Sequence, residues 1–339
     1  MRPVLKPALQ RLWRGPSTVQ IGLDPDRAVV LSGCGADIAR VLDALDGRHD
    51  PEPPDLETAP ASPRRYLVDL LHRARLIDDA NVSTSPIPGL DPVQRERLAP
   101  DLASMSLATG AADGGVGLLR RRREAVISVY GAGRVGAAVA SLLAAAGVGT
   151  VEVVDARTCR PADCTPAGLP LRQLGRRRDH AVSELLRGYA TRTDRPDTPP
   201  LAVVLTGEAT TDPRIRGRLM RGRVPHVVAT VRETTGIVGT FVLPGQSACL
   251  RCQDLHRADR DPGWPLVAAQ LAAGSRSAVE ACDTVLATSV ACWVCHEVLT
   301  FLDGTARPQT VNGSLELSVS DWRWRRRSWT PHPACGCCG

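Results

Sequence analysis

Four cysteines restrict this chain more than any other feature of its sequence. Cys249 and Cys252 form one C-x-x-C pair, and Cys335 and Cys338 form a second close to residue 339. Two such pairs supply four soft thiolates, the donor set and tetrahedral count of a closed structural zinc site. A site of this kind leaves no open coordination position. Its expected job is to tie the last residues of the chain to the middle of a domain. Any fold for this sequence must then bring residue 335 back beside residue 249. Cys337 stands as an alternative to Cys338, which would make the second pair C-x-C. Cys292 and Cys295 form a third C-x-x-C inside an apolar run, VACWVC, where thiols packed as small apolar side chains are the expected reading.

Eleven cysteines argue for metal or catalytic chemistry rather than disulfides in a cytoplasmic chain. That location is expected because MRPVLKPALQRLW has no apolar h-region. No run approaches the roughly 20 unbroken apolar residues of a membrane span, so no membrane partner is expected. The chain is 339 residues long and 43% hydrophobic, which suits two domains with ordinary cores. Its net charge of +6 is modest, and the arginine runs at 120–123, 176–178 and 325–327 read as solvated surface. Only the last has aromatic neighbours, Trp322, Trp324 and Trp329, so no nucleic-acid partner is expected. Lys6 is the only lysine, which excludes a P-loop.

Along the chain, 19–23 and 28–32 are short β-rich runs joined by the turn residues Asp24-Pro25-Asp26. Apolar residues at Ile38, Val41, Leu42 and Leu45 fall on one helical face, and a second such face follows at Tyr66, Leu67, Leu70, Leu71 and Leu76. A Pro-rich acidic linker separates them at 50–63. Residues 1–80 thus read as a small α+β winged-helix domain, 81–115 as a connector with a helix over 92–104, and 116–339 as an α/β domain. In that domain, 125–130 reads as a buried strand, a helix of small residues runs to Ala146, and 150–154 is a second strand ending on Asp155. Runs at 201–205 and 226–231 extend a mostly parallel Rossmann-like sheet. Those at 237–243 and 314–319 add antiparallel strands, and 278–302 reads as one long helix.

Between the first strand and its helix lies GAGRVG. Gly131, Gly133 and Gly136 have the dinucleotide-loop spacing, which permits a tight turn and lets a phosphate approach the helix N-terminus. Asp155 follows Gly136 at the tip of the next strand, where an acid can hold ribose hydroxyls. The bland alternative is close helix–strand packing around an empty pocket.

The order GAGRVG, AAAGVGTVEVVD (144–155), ACLRC (248–252) and HPACGCCG (332–339) resembles the ThiF/MoeB family, bacterial relatives of ubiquitin-activating enzymes, over residues 115–339. The resemblance implies binding of ATP and Mg²⁺, adenylation of the C-terminal carboxylate of a peptide or small carrier protein, and a homodimer. The sequence departs from the family where the chemistry occurs. Asp163 stands where an asparagine is expected and Pro166 where the phosphate-contacting arginine is expected. Arg178 falls near the phosphate-binding lysine, while the magnesium-binding acid is matched only by Asp212 or Glu208. Arg178 and Asp212 are therefore the weak catalytic candidates.

The N-terminal stretch RPVLKPALQRLW…VQIGLDPDRAVVLSG is similar to the PqqD-like winged helix of precursor-peptide modification systems. That likeness implies capture of a leader peptide on a sheet edge. Three functions remain. The first is a degenerate ThiF-like scaffold presenting a peptide to a separate modifying enzyme. The second is an active adenylyltransferase in which Cys159, Cys164 or Cys282 could be an acceptor thiol. The third is an NAD(P)-dependent oxidoreductase, weakened by the lack of a catalytic His, Lys or Tyr constellation.

Overall fold

The computed structural model describes residues 1–48, 63–194, 198–274 and 279–338. The acidic linker at 50–62 lies outside the described residues, as does residue 278, the first of the expected long helix; 279–283 are not helical. The chain divides into two compact units, Met1–Arg120 and Arg121–Gly339.

The first unit opens with β1 (Pro3–Leu5), followed by β2 (Arg11–Gly15), β3 (Thr18–Ile21) and β4 (Val29–Ser32), the last three forming an antiparallel sheet in that order. Alternation in β3 sends Val19 and Ile21 inward, where they meet Leu42 of α1 (Ala36–Asp43) and Leu67 and Leu71 of α2 (Pro63–Arg73). β5 (Ile77–Asp79) pairs antiparallel with β1. The segment expected as a connector carries α3 (Ala80–Ser83), α4 (Pro92–Arg97) and α5 (Ala99–Thr109), and Leu98, Leu102 and Met105 build a small core there with Val116 and Leu119. Proline ends the idea of one helix over 92–104: Pro100 sits in the first turn of a new helix, where its missing N–H costs nothing.

Lys6 lies in the same unit, only 1% exposed. Its ammonium donates to Asp78 Oδ1 at 2.5 Å, to the Ala111 carbonyl at 2.7 Å and to the Ser106 hydroxyl. Three donors thus meet three acceptors, the condition under which a buried charge is tolerated.

α6 (Val116–Glu124) leads into the second unit. Its elements are β6 (Val126–Tyr130), α7 (Arg134–Ala145), β7 (Thr150–Val154), α8 (Arg178–Leu186), β8 (Ala202–Thr206), α9 (Pro213–Arg221), β9 (His226–Arg232), β10 (Thr235–Val242), α10 (Leu250–Arg260), α11 (Trp264–Ala272), α12 (Thr284–Asp303), β11 (Gly313–Ser318) and β12 (Trp324–Ser328). They form one seven-stranded sheet in the order β12-β11-β10-β9-β8-β6-β7. β7, β6, β8 and β9 run parallel, and β10 to β12 are added antiparallel. This is the Rossmann-like mixed sheet expected from the sequence, with the glycine loop at the C-terminal end of β6, between β8 and the edge strand β7.

Small residues decide the packing behind that loop. Ala137, Ala138, Ala140 and Ala144 of α7 are all buried, which lets α12 lie close enough for Cys295 Sγ to reach the Val139 carbonyl at 3.5 Å. The buried stripe of α12 runs through Ala287, Val290, Ala291, Val294, Cys295 and Val298. Cys292 falls outside that stripe and is exposed, so only Cys295 behaves as the buried thiol expected of both. By length and composition α12 could cross a membrane, but half of its most apolar window is buried in the unit, packed on α7, β9 and β10. It also carries buried Glu297, which accepts from the Gln309 and Thr310 amides at 3.1 and 2.7 Å and fixes the approach to β11. At its last residue Asp303 meets Arg122 in a buried two-pronged pair, Nε to Oδ1 at 2.9 Å and Nη2 to Oδ2 at 2.6 Å.

Candidate functional site

The glycine loop makes a tight turn from β6 into α7. Gly131 leaves β6 with φ +93°, and a Cβ there would stand 2.5 Å from Thr206 Oγ1. A Cβ on Gly136 would fall 1.9 Å from the Gly131 carbonyl oxygen, so only glycine lets α7 start this close to the strand. Gly133, the N-cap of α7, is different: its nearest neighbour would be Arg178 Nη1 at 3.9 Å, across open space. That space is a cavity of about 630 Å³, a size suited to a nucleotide, lined by Gly133, Gly136, Arg157, Arg178, Glu208 and Cys282 among others.

Arg178 opens α8 and is buried, its side chain 4% exposed. Nη2 donates to Asp163 Oδ2 at 2.6 Å and Nη1 to Asp155 Oδ2 at 3.3 Å. Its Nε has no hydrogen-bond partner among the described residues. Asp163, standing where the family has asparagine, also accepts from the Arg160 amide at 2.8 Å. The two aspartates therefore hold one guanidinium beside the glycine loop. Of the two acids weighed for magnesium, Glu208 lines the cavity, whereas Asp212 caps α9 by accepting from the Arg214 and Ile215 amides and does not line it.

Asp155 is the most heavily engaged group. Oδ1 accepts from the Arg157 amide at 3.0 Å and from Arg157 Nε at 2.9 Å. Oδ2 accepts from the Ala132 amide at 2.8 Å, Arg157 Nη2 at 3.0 Å and Arg178 Nη1. Burial pushes its carboxyl up, but the Arg157 side chain and the two amides outweigh that and bring it down to about 2. Arg157 was invisible as a site residue in the sequence. The one available signal is its place two residues after Asp155, within reach of the carboxylate it follows.

Of the candidate acceptor thiols only Cys282 lines the cavity, and neither it nor Cys159 is activated. Burial raises Cys282 to about 11 against the nearby charge of Arg134. Burial and the neighbouring Cys164, 3.8 Å away between sulfurs, raise Cys159 to about 11.

At the far end of β10, four sulfurs converge within 4.8 Å of one another, those of Cys249, Cys252, Cys335 and Cys337. Their contacts are 3.8 Å for Cys249–Cys252, 3.5 Å for Cys249–Cys335 and 3.3 Å for Cys252–Cys337. Sulfurs bound tetrahedrally to one zinc at about 2.3 Å would lie near 3.8 Å apart, so the donor set and its spacing fit such an ion after a small expansion. The fourth member of the gathered set is Cys337 and not the expected Cys338. Gly336 takes a left-handed φ of +66°, and the turn aims Cys338 Sγ at the Ser247 carbonyl, 3.1 Å away. Burial raises the Cys252 thiol, but amide donors, His332 N–H first at 3.3 Å, and the neighbouring thiols outweigh it and lower its pKa, whereas burial first of all pushes the Cys249, Cys335 and Cys337 thiols up.

A second metal-capable group, His256, Asp259 and His332, lies next to this cluster. His332 Nε2 is 2.9 Å from Asp259 Oδ2, while its Nδ1 accepts from the Ala334 amide at 3.1 Å. His256 Nε2 reaches the Thr330 carbonyl at 3.0 Å. With both ring nitrogens of His332 engaged, these residues clasp the C-terminal segment onto α10.

No protein-family model matches the sequence, and no curated protein matches it. Solved structures do. Escherichia coli MccB crystallised with ATP is similar at a TM-score of 0.69 and 14% identity over 100% of both chains. The microcin C7 biosynthetic enzyme MccB in complex with N-formylated MccA gives 0.67 and 13%, again over 100% of both. PaaA gives 0.63 and 18% over 78% of this chain and 91% of that one. At such identities the likeness concerns the fold alone, which this chain shares with MccB over its full length.

Proposed function

We propose that this chain binds a precursor peptide or small carrier protein and holds the phosphates of a nucleotide in the second unit, with adenylation of the bound carboxylate weak or absent. The observation that carries the reading is the cavity itself. A glycine-cleared helix N-terminus faces a buried arginine with an unused N–H, while the ribose acid is covered by Arg157. The peptide part is supported by the likeness to MccB, which was solved with MccA and with ATP. The first unit supplies a surface for it. β2 is an edge of its three-stranded sheet and mostly exposed, so a leader peptide could add a strand there in the PqqD-like manner. The four gathered cysteines would hold a structural zinc, and the working form is a homodimer presenting the peptide to a separate modifying enzyme.

ATP–pyrophosphate exchange with peptides bearing free C-termini tests the reading. Binding of a peptide without exchange is expected. Exchange at the rate of a committed adenylating enzyme would establish the second reading, full activity, for which the placement of Arg178 beside Gly133 speaks. In either case Arg178→Met is expected to abolish phosphate binding, since it removes the buried charge at the loop.

A further inference from the structure

The loop that follows β7 contains a residue with no assigned part in this pocket, Arg157. Its guanidinium lines the cavity and turns back on Asp155 with two nitrogens, while its third, Nη1, meets Glu208 Oε1, another lining residue, at 3.2 Å. A carboxylate offers about four lone-pair positions. Asp155 already receives five donors: the Ala132 and Arg157 amides, Arg157 Nε and Nη2, and Arg178 Nη1. Correspondingly, Arg157, Arg178 and Asp163 line the cavity and Asp155 does not. A ribose hydroxyl that approaches this carboxylate must first displace Arg157. A phosphate need not, because Arg134, Arg157, Arg160 and Arg178 all present positive charge to the same cavity.

We infer that Arg157 is a specificity-determining residue that masks Asp155, so that the pocket selects its ligand by the polyphosphate group and gains little from the nucleoside. The inference rests on the nucleotide-phosphate reading proposed above and adds to it which part of the nucleotide is recognised. Two properties make Arg157 suited to the role. Its side chain is 42% exposed, so it can be exchanged without opening the core. Its planar fork also matches a carboxylate with two parallel bonds, a geometry that lysine cannot copy while keeping the charge.

The full chain should be titrated calorimetrically with magnesium ATP and with magnesium tripolyphosphate, and the ratio of the two affinities compared with that of Arg157→Ala and Arg157→Lys. Both variants remove the two guanidinium bonds from Asp155, leaving the two amides and Arg178 Nη1 and so opening a lone-pair position, and the lysine variant keeps a positive charge near the phosphates. The native chain is expected to bind the two ligands within about threefold of each other, a difference smaller than one net hydrogen bond. In both variants the ratio should move toward ATP by on the order of tenfold, the gain from two ribose hydroxyls bonding to Asp155. Arg157→Ala should weaken tripolyphosphate itself, and Arg157→Lys should restore much of that loss. A native chain that already prefers ATP by more than tenfold, or a ratio unchanged in both variants, overturns the inference while leaving the pocket's assignment intact. Absence of binding of either ligand to all three proteins overturns the nucleotide reading itself, and the masking role with it.

Discussion

Removing one half of the Arg122–Asp303 pair should be among the more damaging single changes in the second unit. Both side chains are only 9% exposed, and the pair is bonded through two parallel contacts. Asp303 ends α12, where its negative charge faces the negative end of the helix dipole, so the helix alone disfavours it and Arg122 must offset that. Asp303→Ala leaves a buried guanidinium whose remaining bond is Nη1 to the Ala146 carbonyl at 3.2 Å. Breaking a buried pair from one side costs about 3–5 kcal/mol. For a unit of this size each kcal/mol moves the melting temperature by roughly 2–4 °C, so a fall of roughly 6–20 °C is expected. The paired change Arg122→Met with Asp303→Leu should recover most of it, because two apolar side chains leave no stranded charge. Thermal unfolding by circular dichroism, repeated in urea, reads both variants. A loss of less than about 1 kcal/mol for Asp303→Ala, the range of exposed pairs, would refute the reasoning. So would a double variant no better than the single one.

Metal analysis should find about one zinc per chain, lost in Cys337→Ser and retained in Cys338→Ser; the reverse would place the wrong sulfur in the cluster. Asp155 has a folded pKa of about 2, below its ordinary value of 3.8, so its stabilisation is complete above about pH 4 and is lost as pH falls toward 2. Compared with Asp155→Asn in urea, the native chain should be more stable by on the order of 2 kcal/mol at pH 6, and the gap should shrink to roughly a third of that by pH 2.5; a gap independent of pH would contradict this. Alkylation of the folded chain should modify the exposed Cys292 and Cys338 first and spare Cys295, which is buried and pushed far up by that burial, until the unit unfolds.

The core of the second unit was readable because its strands are apolar runs and its helix is made of alanines, patterns set by burial alone. β6, β7 and β8 lie within a residue of the runs that announce them. Two of the edge strands, β2 and β12, were not readable. β12 is Trp-Arg-Arg-Arg-Ser and β2 is Arg-Leu-Trp-Arg-Gly, both largely exposed, so neither carries the alternation that marks a half-buried strand. The start of α12 was placed six residues early, although Asp283 signals it by accepting from the Val285 and Leu286 amides. At the site, Gly133, Gly136 and Arg178 line one cavity, while Asp155, bonded to Arg178 and the Ala132 amide, and Gly131 do not line it. The choice of Cys337 over Cys338 turned on a left-handed glycine between two equally plausible sulfurs, which spacing cannot decide. Arg157 stayed hidden because its importance arises from a side chain folding back two residues, not from any motif.

The buried Lys6 makes the folded chain blank to lysine chemistry. With one such residue in 339, and that one enclosed by Asp78, Ser106 and Ala111, acylating crosslinkers and isopeptide-forming enzymes meet no accessible ε-amine on the native surface. A lysine-specific endoprotease likewise has one bond to cut, and only when the first unit opens. The appearance of that single cleavage would report, molecule by molecule, how often this unit breathes.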